Sequence, residues 1–295
     1  MTGLVFVLSL KPLQAAGWKS VEKILGREGM EQGGSFHVSF PRLDLNVVVK
    51  GVPLEPEMGL TSRVTFIPQE KETQVQCELV VLDQELPKVL SQLVRQGFVV
   101  ESIYSPLLNE SPQVKTLHIL RRGSRSDLAQ GLKAILSVTS TPLEKPLEPT
   151  PEPTPLVTPP AKVKLSSPSP PAWGAVEKIL GPGNSSGKLS RYVFSRGPAP
   201  EGAASNEGET LFNLQRDGKQ AAATGFFCLT APEVRPVMES LTQNHLTVTD
   251  LHQDRVERSQ GFYLLHFWAM GEAGDVAQGL QAALEKAPGI VQRQP

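Results

Sequence analysis

The chain has 295 residues and a mass of 32.0 kDa, with 29 basic and 30 acidic side chains, 39% hydrophobic residues and two cysteines. Balanced charge excludes a mainly electrostatic nucleic-acid binder, which needs a basic surplus, and two cysteines exclude a disulfide framework or a four-thiolate metal site. The length fits two domains; the one continuously apolar run, residues 1–10, is about half of the roughly 20 residues that a membrane-spanning helix needs.

That opening run leads into Lys11-Pro-Leu-Gln-Ala-Ala16. Apolar residues followed by small ones are expected to be the back half of a secretory signal, cut after Ala15 or Ala16. No positive segment precedes the run, and a buried N-terminal strand is the alternative. Next, Trp18, Val21, Ile24 and Leu25 share one helical face that Gly26 ends. Strands are predicted at Ser35–Phe40, Leu45–Val49, Val64–Ile67 and Gln76–Leu82 from β-branched content and alternation. Leu86, Val89, Leu90, Leu93 and Val94 have helical spacing ended by Gly97, strands follow at Phe98–Ile103 and Lys115–Leu120, and a helix starts near Asp127. Residues 141–172 then hold 11 of the 26 prolines and no glycine. Proline has no amide donor and a fixed φ, so this stretch predicts an extended spacer.

Across the spacer the chain repeats itself. Trp18-Lys-Ser-Val-Glu-Lys-Ile-Leu-Gly26 returns as Trp173-Gly-Ala-Val-Glu-Lys-Ile-Leu-Gly181, and Leu128-Ala-Gln-Gly-Leu-Lys-Ala-Ile-Leu136 returns as Val276-Ala-Gln-Gly-Leu-Gln-Ala-Ala-Leu284. The offset falls from 155 to 148 between these pairs, so the second copy has lost about seven residues, expected between Arg196 and Gly225. The predicted organisation is a signal remnant at 1–16, an N-lobe at 17–140, a proline-rich linker at 141–171, a C-lobe at 172–288 and a tail at 289–295. Consecutive strands with short turns make each lobe α+β, an antiparallel or mixed sheet with helices on one face.

These segments together resemble the LppY/LpqO family, a bacterial domain of unknown function that is often exported and often in tandem. The resemblance rests on Trp-x-x-Val-Glu-Lys-Ile-Leu-Gly, on Phe40-Pro-Arg-Leu-Asp44 with Gly51, on Leu107-Leu-Asn-Glu-Ser-Pro112, and on Leu265-His-Phe-Trp268 with Gly274-Asp275. It covers both lobes and implies fold and a periplasmic or secreted location, but no activity. Family members typically carry Leu-His-x-His before a second His-containing strand. Here the C-lobe reads Leu251-His-Gln-Asp254, and the N-lobe reads Ile103-Tyr-Ser-Pro106, keeping only His118. The resemblance thus implies an N-lobe that has lost its site.

The candidate chemistry sits in the C-lobe. His252 and Asp254 are two residues apart, so on a strand they share a face, and His266 falls on the next strand. Two imidazoles and a carboxylate form the ligand set of open zinc and non-haem iron sites. One divalent transition metal (zinc, copper or iron) is the cofactor expected there, against the plain reading of a core histidine and a simple His–Asp pair that need no cofactor. Arg42 and Asp44, on one predicted strand face, are the second candidate binding pair, against an exposed ion pair. The phosphate-loop-like Gly181–Lys188 is rejected, because Pro182 and Leu189 break the pattern and a helix precedes it. Cys77 and Cys228 are expected to be buried free thiols. Function is expected to be that of an exported binding protein of unknown ligand and partner. A metal-dependent hydrolase with a degenerate N-lobe, or a structural envelope module, is the alternative. Whether the chain is an enzyme stays open.

Overall fold

The computed structural model describes residues 17–144, 171–196, 208–253 and 261–292. The expected signal segment, most of the linker, Asp254 and the last three residues lie outside the described residues.

The N-lobe runs α1 (Lys19–Leu25), β1 (Met30–Gln32), β2 (Ser35–Pro41), β3 (Val48–Val49), β4 (Val52–Pro53), β5 (Thr61–Pro68), β6 (Thr73–Leu82), α2 (Leu86–Arg95), β7 (Val99–Tyr104), β8 (Glu110–Ser111), β9 (Val114–Gly123) and α3 (Arg125–Leu136). The C-lobe runs α4 (Pro171–Leu180), β10 (Asn184–Ser186), β11 (Leu189–Ser195), β12 (Glu209–Asp217), β13 (Gln220–Leu229), α5 (Ala231–Gln243), β14 (Thr247–Gln253), β15 (Tyr263–Glu272), α6 (Ala273–Leu284) and β16 (Val291–Gln292). The large sheets have matching strand orders, β1-β2-β5-β6-β9-β7 and β10-β11-β12-β13-β15-β14, and every ladder in them is antiparallel. Two homologous α+β lobes are therefore present.

Alternation decides which way each strand faces. Leu117 and Ile119 of β9 join Cys77, Leu79 and Val81 of β6 against Val21, Leu93 and Leu132 from α1, α2 and α3. Leu265 and Phe267 of β15 do the same against Val176, Val237 and Leu280 from α4, α5 and α6. Each such side chain contributes about 1.5–3 kcal/mol through burial. The intervening residues of both sheets face the other lobe. Val80, Leu82 and Val114 of the N-lobe meet Ala222 and Trp268 of the C-lobe in a third apolar cluster. The result is four layers: helices, sheet, sheet, helices.

One device recurs at the same place in both lobes. The Arg42 guanidinium, fully buried, donates to Glu85 and Asp44 and to the Val80 carbonyl. Arg196 donates to Glu233 and to the Cys228 carbonyl, and Glu233 accepts from the Thr230 amide at 2.7 Å. Each pair ties the end of the second strand to the start of the middle helix, capping its amides. Burial works against ionisation of Glu85, yet the bonds from Ser140, Arg42 and Leu82 hold its pKa below the usual carboxylate value.

Two local expectations change. Arg42 and Asp44 lie in a turn beyond β2, not on a strand face, and only Asp44 is exposed: the Arg42 guanidinium is committed inside the fold. The strand expected at Leu45–Val49 shrinks to Val48–Val49, because the chain turns about Arg42 and then pairs in a small separate sheet, β4-β3-β8. This small sheet belongs to a stretch longer in the N-lobe than in the C-lobe. The offset between equivalent positions falls from 154 at Phe40/Phe194 to 148 at Arg63/Leu211, inside the interval expected for the deletion. The stretch also fastens the lobes: Gln215 accepts from the Glu55 amide at 2.8 Å and donates to the Pro53 carbonyl at 2.8 Å, and Asn213 donates to the Glu57 carbonyl at 2.9 Å. Cys77 and Cys228 are buried and form no disulfide.

Candidate metal centre

The lobe-facing sides of the two sheets carry titratable groups in the midst of apolar ones. On β9, His118 alternates with Leu117 and Ile119, opposite Glu78 of β6. On β15, His266 alternates with Leu265 and Phe267, opposite Asp250 of β14. Irregularities between Val248 and Asp250 on β14, and between Val100 and Ser102 on β7, recur at equivalent positions. A bulge shifts the alternation of the strand that carries it. It brings Asp250 and His252 onto the lobe-facing side in one lobe, and Ser102 and Tyr104 in the other.

Packing the lobes together makes three imidazoles converge. His118, His252 and His266 each offer a ring nitrogen, and these nitrogens lie within 4.8 Å of one another. The rings of His252 and His266 are nearly parallel at 5.5 Å between centroids, and His118 stands edge-on to His252 at 4.7 Å. Tyr104 fills the space between, 4.6 Å from His266, with its hydroxyl 3.3 Å from His118 Nε2. Among the described residues, the buried Nε2 atoms of His252 and His266 have no hydrogen-bond partner. An unpartnered buried polar atom costs on the order of 1–3 kcal/mol, and two facing the same place call for a ligand.

The surrounding charges suit a cation. Asp250 Oδ2 lies 2.5 Å from His252 Nδ1; this carboxylate favours the Nδ1–H form of a neutral ring, whose Nε2 then carries the lone pair, as in the usual carboxylate–histidine–metal arrangement. Burial opposes ionisation of Asp250, but the bond to His252 and the nearby imidazoles lower its pKa. Burial, then the neighbouring His118 and His252, pushes the pKa of His266 down to about 3, so its ring is neutral as ligation requires. Glu78 reaches Arg63 at 3.4 Å and His118 at 3.6 Å. Although its burial favours the acid form, the His118 bond and then the Arg63 charge hold it below the carboxylate range. Burial, then the charges of Glu78 and Asp250, raises Tyr104 well above the ordinary phenol value.

The structure places the His252 and His266 rings 5.5 Å apart, while Asp254 lies outside the described residues. The third imidazole comes instead from His118, on the lobe whose site the motif comparison implied was lost, so the cluster lies between the lobes rather than within the C-lobe. Arg42 and Asp44 are no part of it. His118, Tyr104 and Glu78 were missed because their role depends on lobe packing. The available signal was that His118 is the repeat equivalent of His266. Such a cluster can ligate a borderline or soft divalent ion through nitrogen and leave a coordination position open.

Fold and site together define a duplicated α+β protein with a three-histidine cluster between its copies. The chain belongs to the family described as Domain of Unknown Function (DUF1259), whose model matches residues 19–138 and 176–286, one copy per lobe. No curated protein matches the chain. Among solved structures, it aligns with the trimeric bacterial microcompartment shell protein PduB (12% identity, TM-score 0.21, 88% of this chain and 89% of that one). It also aligns with EtuB from Clostridium kluyveri (12% identity, TM-score 0.20, 88% and 89%) and with TP0453 (11% identity, TM-score 0.20, 88% and 96%). These scores are too low to carry an argument. No helix among the described residues is long and apolar enough to cross a membrane.

Proposed function

We propose that this chain is a metal-binding protein that holds one divalent transition ion, zinc or copper before iron, on His118, His252 and His266. The observation that carries the reading is the pair of buried, unpartnered Nε2 atoms of His252 and His266, converging with His118 between the lobes. Nitrogen ligands favour copper and zinc over magnesium, calcium or manganese. Zinc–nitrogen bonds of about 2.0–2.1 Å require the three ring nitrogens, now within 4.8 Å of one another, to draw closer together. The motif resemblance to the LppY/LpqO family supports placing the chain among exported bacterial proteins, and the apolar run at residues 1–10 supports the same location.

The test is elemental analysis of the protein as isolated, followed by titration calorimetry with zinc, copper and iron. One ion per chain is expected. Equal binding by His266→Ala and the parent would show that the site does not exist and leave the structural-module reading. A metal-dependent hydrolase is the second reading, favoured by the ionised Glu78 beside His118, which could take a proton from an ion-bound water. Against it, the adjoining cavity is about 50 Å3, whereas substrate pockets run to about 300–1,000 Å3.

A further inference from the structure

That cavity has a chemistry of its own. Its lining includes His266, Tyr104, Glu78, Thr116, Asn213 and Arg63, the last 30% exposed. A water needs at least about 10–15 Å3 of such space. The cavity therefore accepts a few waters or one ion of a few heavy atoms, and no metabolite. Its walls include hydroxyl and amide donors and one guanidinium. Gly225, at φ 157°, lets the wall close, since a Cβ there would meet the Leu211 carbonyl oxygen at 2.0 Å.

Charge identifies the occupant. With a divalent ion on three neutral imidazoles, Arg63 brings the local positive charge to three. Glu78 and Asp250 return two negative charges. Arg191 is close enough to act on Arg63, and Glu209 offsets it. One positive charge is left over beside the buried His266, where uncompensated charge is costly.

We infer that the cavity is a site for a small monovalent anion, of the formate, bicarbonate or azide class, which takes the open coordination position with Arg63 at its outer end. This rests on the metal reading above. Arg63 acts as a binding residue, and its guanidinium shares itself between Glu78 and the anion.

The full-length protein loaded with cobalt(II) gives the test, because the visible spectrum of the ion reports its coordination. Titration with azide and then with formate should change the spectrum saturably. Arg63→Met should weaken both anions about 10-fold or more, a loss of about 1.4 kcal/mol, and Arg63→Lys should recover part of that loss. A cobalt-loaded protein whose spectrum ignores both anions overturns the inference while sparing the metal reading. So does unchanged anion affinity in a folded, cobalt-loaded Arg63→Met. Failure of cobalt, zinc and copper alike to bind removes the metal reading itself.

Discussion

The two lobes share strand order, bulge positions and the arginine–glutamate staple, yet their lobe-facing surfaces have diverged in complementary ways. Where the N-lobe has Arg63, Glu78, Ser102, Tyr104 and His118, the C-lobe has Leu211, Phe226, Asp250, His252 and His266 at the paired register positions. The C-lobe supplies two of the three imidazoles and the carboxylate bonded to one of them. The N-lobe supplies the third imidazole, a phenol and the ion pair. In a two-fold dimer every such position would be duplicated. Covalent duplication frees each copy to keep half of one site, and the centre can then be asymmetric.

The largest effect should come from removing ligands on either side of this divide. His118→Ala and His266→Ala should each lower zinc affinity by about 100-fold or more, at about 1.4 kcal/mol per tenfold, measured by calorimetry. If only the C-lobe substitution matters, the site is not shared and the comparison breaks.

The staples should differ in strength. Glu85→Ala leaves the fully buried Arg42 with Asp44 as its one remaining carboxylate and should cost about 3–4 kcal/mol in urea unfolding, since breaking a buried pair leaves charge poorly compensated. Glu233→Ala acts on a less enclosed pair, whose arginine side chain is 13% exposed, and should cost about 2 kcal/mol.

Acid should weaken the metal-free protein through the C-lobe first. The folded His266 titrates at about 3, against about 6.5 when unfolded. The unfolded chain therefore binds more protons between these values, and stability falls as pH drops through that window. Glu78 and Asp250, whose folded pKa values are also lowered, add to the loss in its lower part. Melting temperature plotted against pH should be steeper in the parent than in His266→Gln, and parallel curves would contradict it.

The smallest effect separates the last helices. Ser124 caps α3 by accepting from the Asp127 amide, while its counterpart Glu272 makes no side-chain cap on α6. Ser124→Ala should cost about 1 kcal/mol and Glu272→Ala close to nothing, as read from denaturant midpoints.

Much of the fold was legible because its signals are local. Helical spacing at Leu86–Val94, glycine stops such as Gly26 at φ 73°, and alternation through Gln76–Leu82 depend on neighbours in the chain. Repetition of Trp-x-x-Val-Glu-Lys-Ile-Leu-Gly then doubled that reading. Leu45–Val49 misled because its residue types suit a strand, whereas the turn fixed by buried Arg42 leaves only Val48 and Val49 in position to pair.

The site was half legible. His252 lies opposite Leu264, two residues from His266, so the strand period of two puts both histidines on one face, and β14 and β15 pair as consecutive antiparallel strands. Both facts are contained in the amino-acid order of one lobe. That His118, 134 residues before His252, completes the cluster is not. It depends on which faces of the two sheets meet and at what offset. The stretch around β3 and β4, seated on Trp268 and bonded to Asn213 and Gln215, sets that relation. The sequence alone determined two copies of one fold and the paired histidines. Only the tertiary structure decided that one site lies between the copies, because contacts between sheet faces have no periodic signature along the chain.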